Sequence, residues 1–173
     1  ELVLRRRGEH FELINDGVFL MDTRDGRSER ALIDEVLAVA PRRPRVVIGG
    51  LGFGFSLDAA VASAVPSRID VVEIHRQVIE WNQVHLPERA QRARADPRVR
   101  IVHANITEWL GRDDEPLDVL CLDTDNGPDW LAAPGNAALY ADTGLTRIAR
   151  RLAPAGVLGV WSAGQSAEFE HAL

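Results

Sequence analysis

From residue 45 onward, short apolar runs alternate with amphipathic segments, and few folds accommodate that alternation. The runs "RVVIGG" (45–50), "RIDVVEI" (68–74), "VRIVHA" (99–104), "PLDVLCLDT" (116–124) and "GVLGVWSA" (156–163) are rich in Val, Ile and Leu. Between them lie "FSLDAAVASAVP", "RQVIEWNQVHLP" and a short helical turn at "ITEWLG". A long loop then leads to a helix in which Leu145, Ile148, Ala149 and Leu152 recur at i, i+3, i+4 and i+7. Strands that are apolar on both faces need helices on both faces. The expected fold is therefore α/β, a doubly wound, mostly parallel Rossmann-like sheet.

The front of the chain reads differently. Arg-Gly, Asn-Asp-Gly and Asp-Gly break "ELVLRRRGEHFELINDGVFLMDTRDG" into two or three antiparallel strands. Residues 1–27 are thus expected to form a small β-hairpin region and 28–173 the Rossmann-like domain. "SERALIDEVLAVAP" opens that domain as a helix, with Ser28 as N-cap, Pro41 as stop, and Leu32, Val36 and Val39 on one face.

Composition closes off several function classes. A net charge of −6 argues against a nucleic-acid surface, so "LRRRGEH" reads as a solvated strand and "ERAQRARADPRVR" as a solvated helix end and loop. No run approaches about 18 apolar residues and no basic-then-apolar leader opens the chain, so a cytoplasmic protein without membrane contact is expected. Cys121 sits inside an apolar strand, a packing position. The five histidines are scattered, without zinc-type spacing, so no metal is expected. No G-x-S-x-G elbow marks a hydrolase.

The stretch "VVIGGLGFGFSLDAAV" (46–61) places Gly49, Gly50, Gly52 and Gly54 within six positions, after a strand and before a helix. That is where backbone approaches a ligand at the carboxyl end of a first strand. The dinucleotide pattern G-x-G-x-x-G is not met, because residue 55 is Phe; G-x-G-x-G suits a sulfonium nucleoside better. About 20 residues on, Glu73 ends the second strand, where a carboxylate accepts hydrogen bonds from ribose hydroxyls. Asn105 follows the third strand, either as acceptor for an adenine amino group or as cap of the next helix. Asp123, Asp125 and Asp129 cluster after the fourth strand, an acidic rim suited to a cationic co-substrate.

These segments together resemble the spermidine synthase-like (polyamine aminopropyltransferase) group of the class I S-adenosylmethionine-dependent methyltransferase fold. "INDGVFLMDTRDG" resembles the group's N-terminal hairpin, "SERALIDEVL" its helix with acidic Glu29, and "VVIGGLGFG" its glycine motif. "VVEIHRQVIEWNQVHLP" is similar to the ribose-acid strand and helix, "DPRVRIVHANITEWL" to the adenine segment and "RLAPAGVLGVWSA" to the last strand. "LDVLCLDTDNGPDW" is similar to the strand bearing the catalytic aspartate, which lands on Asp123. The resemblance implies transfer of an aminopropyl group from decarboxylated S-adenosylmethionine to a small polyamine-like amine, with methylthioadenosine as product. It implies cofactor binding by Gly49, Gly50, Gly52, Gly54, Glu73 and Asn105, and substrate binding by Glu29, Asp125 and Asp129. By analogy it also implies a homodimer.

The chain departs from the group at identifiable positions. Gly52 stands where the group carries an aspartate that reads the nucleoside's amine, Leu20 where it has glutamine, and Arg27-Ser28 where it has a Tyr-Gln or Tyr-His pair. The group's closing β-hairpin has no counterpart after "EFEHAL". Three functions stay open: aminopropyl transfer, methyl transfer from S-adenosylmethionine, and a non-catalytic nucleoside-binding or dimer-forming homologue.

Overall fold

A computed structural model describes residues 1–112, 115–124, 126–131 and 134–173. Three antiparallel strands come first: β1 (Leu2–Arg7), β2 (His10–Asn15) and β3 (Val18–Asp22). Asp16 and Gly17 both take positive φ in the β2–β3 turn, the backbone that Asp-Gly tolerates. In the basic run, Arg5 and Arg7 flank buried Glu12 across the β1–β2 pair, and the hydrogen bond from Arg5 holds that carboxyl below its ordinary range. These two arginines are spent on a strand pair.

The larger unit follows in the order α1 (Arg27–Val39), β4 (Arg45–Gly49), α2 (Phe55–Ala62), β5 (Arg68–Glu73), α3 (Arg76–His85), α4 (Pro87–Ala95), β6 (Val99–His103), α5 (Ile106–Leu110), β7 (Leu117–Leu122), α6 (Ala137–Tyr140), α7 (Asp142–Arg151), β8 (Leu152–Val160) and α8 (Ala167–Ala172). The five later strands form one parallel sheet in the order β6-β5-β4-β7-β8. The winding reverses between β4 and β7, and in such sheets a crevice opens there at the carboxyl ends. Val46 and Ile48 pack with Ile33, Val36, Phe55 and Ala60 on one face, while Val47 packs with Ile106, Trp109 and Ile148 on the other. Successive residues of a strand feed opposite cores, so both must be apolar. Cys121 is fully buried on β7, and burial pushes its thiol far above the ordinary range.

Several local expectations change. Ser28 is not the N-cap of α1: Gly26 holds that position, and the Ser28 hydroxyl instead bonds Glu29. The buried stripe of α1 is Glu29, Ile33 and Val36, while Val39, the last helical residue, stands 69% exposed. The first part of the Arg-rich segment is a helix of its own, α4, started by Pro87 at its first position, and a short loop then leads into β6. In α7, Leu145 and Ile148 pack inward but Ala149 is exposed, and Leu152 already belongs to β8. Among the described residues no helix is long and apolar enough to cross a membrane.

Candidate functional site

The five parallel strands deliver a residue each to one cavity: Gly50 after β4, Glu73 on β5, Ala104 after β6, Asp123 after β7 and Trp161 after β8. Ladder hydrogen bonding runs past the strand ends, from Gly50 N to Val72 O at 2.9 Å, Asp123 N to Gly49 O at 2.9 Å and Trp161 N to Leu122 O at 2.9 Å. The tips are therefore held in register. Leu13, Leu20 and Met21 of the small sheet, with Glu29 of α1, line the same space, whose volume is about 540 Å³. That is room for a ligand of nucleoside size with space beside it.

The glycine loop answers first to the protein's own packing. Gly50 has φ +96°, and a Cβ there would meet the Asp123 carbonyl oxygen at 2.2 Å. Gly52, at φ +48°, would drive a Cβ to 2.5 Å from the Met21 sulfur. Both line the cavity; Gly49 and Gly54 do not. Gly49 is wedged against Ile106, Leu122 and Thr124, and Gly54 is the left-handed residue that starts α2. The loop is clamped from behind. Asn82 Nδ2 donates to the Gly52 carbonyl at 2.7 Å, Arg89 donates to the Phe53 carbonyl, and Leu51 N–H donates to Glu73 Oε2 at 2.8 Å. Bonds of this kind fix the loop before a ligand arrives, which lowers the entropy cost of binding.

Glu73 is 5% exposed, and its two oxygens accept from Leu51 N and His75 N at 2.8 and 2.7 Å. Each carboxylate oxygen can accept a second hydrogen bond. Asn105 lines the cavity and also caps α5, its Oδ1 accepting from Thr107 N at 2.8 Å.

Asp123 is half-buried in the cavity wall, and its Oδ2 accepts from the Ser56 hydroxyl at 2.7 Å. Burial pushes its carboxyl up to about 6; the charge of Glu29 pushes the same way and the Ser56 hydrogen bond opposes both. Glu29, 8% exposed, reaches the cavity from α1.

The rest of the acidic rim divides. Asp129 is exposed and absent from the cavity lining, in a turn where Trp130 N bonds Gly127 O. Asp125 lies outside the described residues. Trp130 is 57% exposed and off the lining, whereas Trp161 lines the cavity. His75, which reads from the sequence as a solvent-facing strand end, is half-buried and lines the cavity. Leu20 lines it as well, whereas Arg27 is exposed and paired with Asp25. Sequence reasoning missed Ser56, Asn82, Met21 and Trp161. Each sits in an ordinary helical or strand context, and its part comes from a neighbour distant in sequence. Among the described residues no group of three His, Cys, Asp or Glu side chains could hold a metal ion.

The β6-β5-β4-β7-β8 sheet with helices on both faces is a Rossmann-like fold of the class I methyltransferase type. Spermidine synthase from Thermotoga maritima superposes with a TM-score of 0.73 at 22% identity, over 87% of this chain and 49% of that one. A spermidine synthase in complex with the transition-state analogue AdoDATO gives 0.66 at 19% identity, over 82% and 47%. A methyltransferase from Thiobacillus denitrificans in complex with S-adenosyl-L-homocysteine gives 0.53 at 18%, over 77% and 47%.

In sequence the chain is similar to the polyamine aminopropyltransferases, and its resemblance to the spermidine synthase-like group holds. It is 30% identical over 152 residues to the polyamine aminopropyltransferase of Prochlorococcus marinus (strain MIT 9313), covering 87% of this chain and 51% of that protein. It is 30% identical over 168 residues to polyamine aminopropyltransferase 2 of Pseudomonas aeruginosa, covering 90% and 45%. The chain spans about half the length of the curated relatives it matches. No protein-family model matches it.

Proposed function

We propose that the cavity binds decarboxylated S-adenosylmethionine and transfers its aminopropyl group to a polyamine-like amine. The charge of the wall carries this reading. Glu29, Glu73 and Asp123 converge on the cavity, and no arginine lines it among the described residues. An acidic cleft concentrates cations. It also offers no arginine to pair with the carboxylate of intact S-adenosylmethionine. In this reading the adenine lies in the apolar slot of Val72, Ile74, Ala104 and Ile106, and the free lone pairs of Glu73 accept from the ribose hydroxyls. Asn105, already the cap of α5, borders the base.

Transfer forms a C–N bond and breaks a C–S bond: the amine attacks the carbon next to the sulfonium, and methylthioadenosine leaves. An ammonium has no lone pair to attack with, so its proton must go first, and Asp123 accepts it. Glu29, in the cavity wall, holds the remaining positive charge of the amine. With its carboxyl raised to about 6, Asp123 is ionised at neutral pH and is a stronger base than an ordinary aspartate. The expected kcat/KM therefore falls about tenfold per pH unit below about 6 and levels off above it. A profile that stays flat to about pH 4.5 would remove Asp123 from this role. Incubation with decarboxylated S-adenosylmethionine and putrescine or spermidine tests the reaction itself. Methylthioadenosine release supports it, and no release with either amine overturns it.

One observation favours a second reading, methyl transfer from S-adenosylmethionine: Gly52 brings no carboxylate to the cavity where the Met21 thioether covers it. Calorimetric titration with both nucleosides separates the two, since preference for the intact form rejects aminopropyl transfer. Gly52→Asp sharpens the comparison. The substitution is expected to cost about 1–2 kcal/mol, because the backbone there is left-handed and Met21 must move. It is also expected to raise affinity for the decarboxylated nucleoside about tenfold through a new charge-assisted hydrogen bond. Urea unfolding and calorimetry read the two effects, and an unchanged affinity would place the nucleoside's amine away from residue 52.

A further inference from the structure

Ser56 has no place in the motif that precedes it, and its surroundings would suit an apolar residue. It is 3% exposed in the first turn of α2, beside buried Phe55, Leu57 and Ala60. Its Oγ lies 2.7 Å from Asp123 Oδ2 and 3.4 Å from the Glu29 carbonyl oxygen. A hydroxyl has one proton to give, and the shorter contact to the charged acceptor takes it. The Glu29 carbonyl, 3.4 Å away, then receives no hydrogen bond from Ser56. Among the described residues Oδ2 is the engaged oxygen of Asp123, and Oδ1 is left for the cavity.

We propose that Ser56 is a positioning residue for Asp123, fixing Oδ2 so that the carboxylate stands ionised with Oδ1 toward the amine. The inference rests on the aminopropyl-transfer reading for the identity of the amine but not for the Ser56–Asp123 pair itself. The groups facing Asp123 show why such a device is needed. From α1 comes Glu29, whose charge resists a second anion, and from β7 the thiol of Cys121, which burial keeps neutral. From α2 comes Ser56. Of these neighbours among the described residues, Ser56 is the one that favours the ionised form. Loss of a hydrogen bond to a partly buried carboxylate raises its proton affinity.

The test follows the carboxyl of Asp123 directly. In protein labelled with ¹³C at the aspartate side-chain carboxyls, the signal missing from Asp123→Asn identifies residue 123, and its chemical shift is followed against pH. In Ser56→Ala the midpoint is expected to rise by about one pH unit. Ser56→Thr, which keeps the hydroxyl, is expected to return it. The acid limb of the rate should move by the same amount, lowering kcat about tenfold at pH values below both midpoints, with the KM for the nucleoside unchanged. Should the alanine variant fail to fold, Ser56→Cys, slightly larger and with a weaker donor, is expected to move the midpoint in the same direction. An unmoved midpoint in the folded variants overturns the inference, whatever the enzyme does. A moved midpoint in a protein that releases no methylthioadenosine upholds the pair and overturns the reaction instead.

Discussion

Asp123→Asn is expected to lower the rate of amine transfer by about 10²–10⁴-fold, the usual contribution of a positioned proton acceptor, while nucleoside affinity changes by no more than a few-fold. The replacement is isosteric, and its carboxamide oxygen can still accept from Ser56, 2.7 Å away in the wild type. What disappears is the ability to take a proton. The substitution carries a second signature. Because the folded-state pKa of Asp123 is raised from 3.8 to about 6, the folded chain binds a proton more tightly than the unfolded chain in that window. This carboxyl therefore stabilises the fold below about 4, and that contribution is lost as pH rises to about 6. The neutral asparagine removes the dependence, so the variant's urea midpoint at pH 7 should equal or exceed that of the wild type. A variant both inactive and strongly destabilised at pH 7 would mean that Asp123 supports the fold and not the chemistry. Stability given up for a poised group is common at functional sites.

Glu73→Ala is the second large effect, and it touches fold and binding together. The carboxylate accepts from the backbone of Leu51 in the glycine loop and of His75 at the start of α3, both under 3 Å. Removing it leaves two amides without partners, Leu51 N–H in a buried setting and His75 N–H in a partly buried one, an expected cost of about 2–5 kcal/mol. In the proposed pose the ribose loses its acceptor as well, so nucleoside affinity should fall at least about a hundredfold in whatever fraction remains folded. Denaturant titration gives the first number, and calorimetry under stabilising conditions the second. Lost stability with wild-type affinity would mean that Glu73 only braces the loop. Glu73→Gln is informative beside it, because one amide N–H would then meet a side-chain N–H instead of an oxygen.

How much of this could be read from the chain depends on the range over which each signal acts. Central strands such as "VVIG" and "DVLCL" are visible because each residue feeds one of two cores, which demands apolar side chains without gaps. The strand tips are visible for the same reason: where an apolar run ends in a carboxylate, as at Glu73 and Asp123, the change is abrupt. Gly50, Gly52, Glu29 and Asn105 were likewise brought to the cavity. Asp129 lies off the cavity lining because a turn at Gly127 carries the chain outward, which nearness in sequence to a strand tip does not reveal. Trp161 was overlooked because a tryptophan ending an apolar strand looks like core.

Ser56, Asn82 and Met21 were illegible for a different reason. Their partners lie 67, 30 and 31 residues away, at Asp123 and at Gly52. Only the closed sheet brings such pairs together. Helix ends also drifted. Gly26 displaced Ser28 as the start of α1 because it sits against the Phe55 ring, where a Cβ would come within 2.2 Å, a tertiary demand that overrides capping preference.

Co-crystallisation with methylthioadenosine measures most directly whether a nucleoside occupies the strand tips. The expected electron density puts the adenine between Ile74 and Ile106, both ribose hydroxyls within hydrogen-bond distance of Glu73, and the sulfur facing Asp123 across Gly50. Density elsewhere on the molecule with those tips bare, or a bound ribose that ignores Glu73, would contradict it.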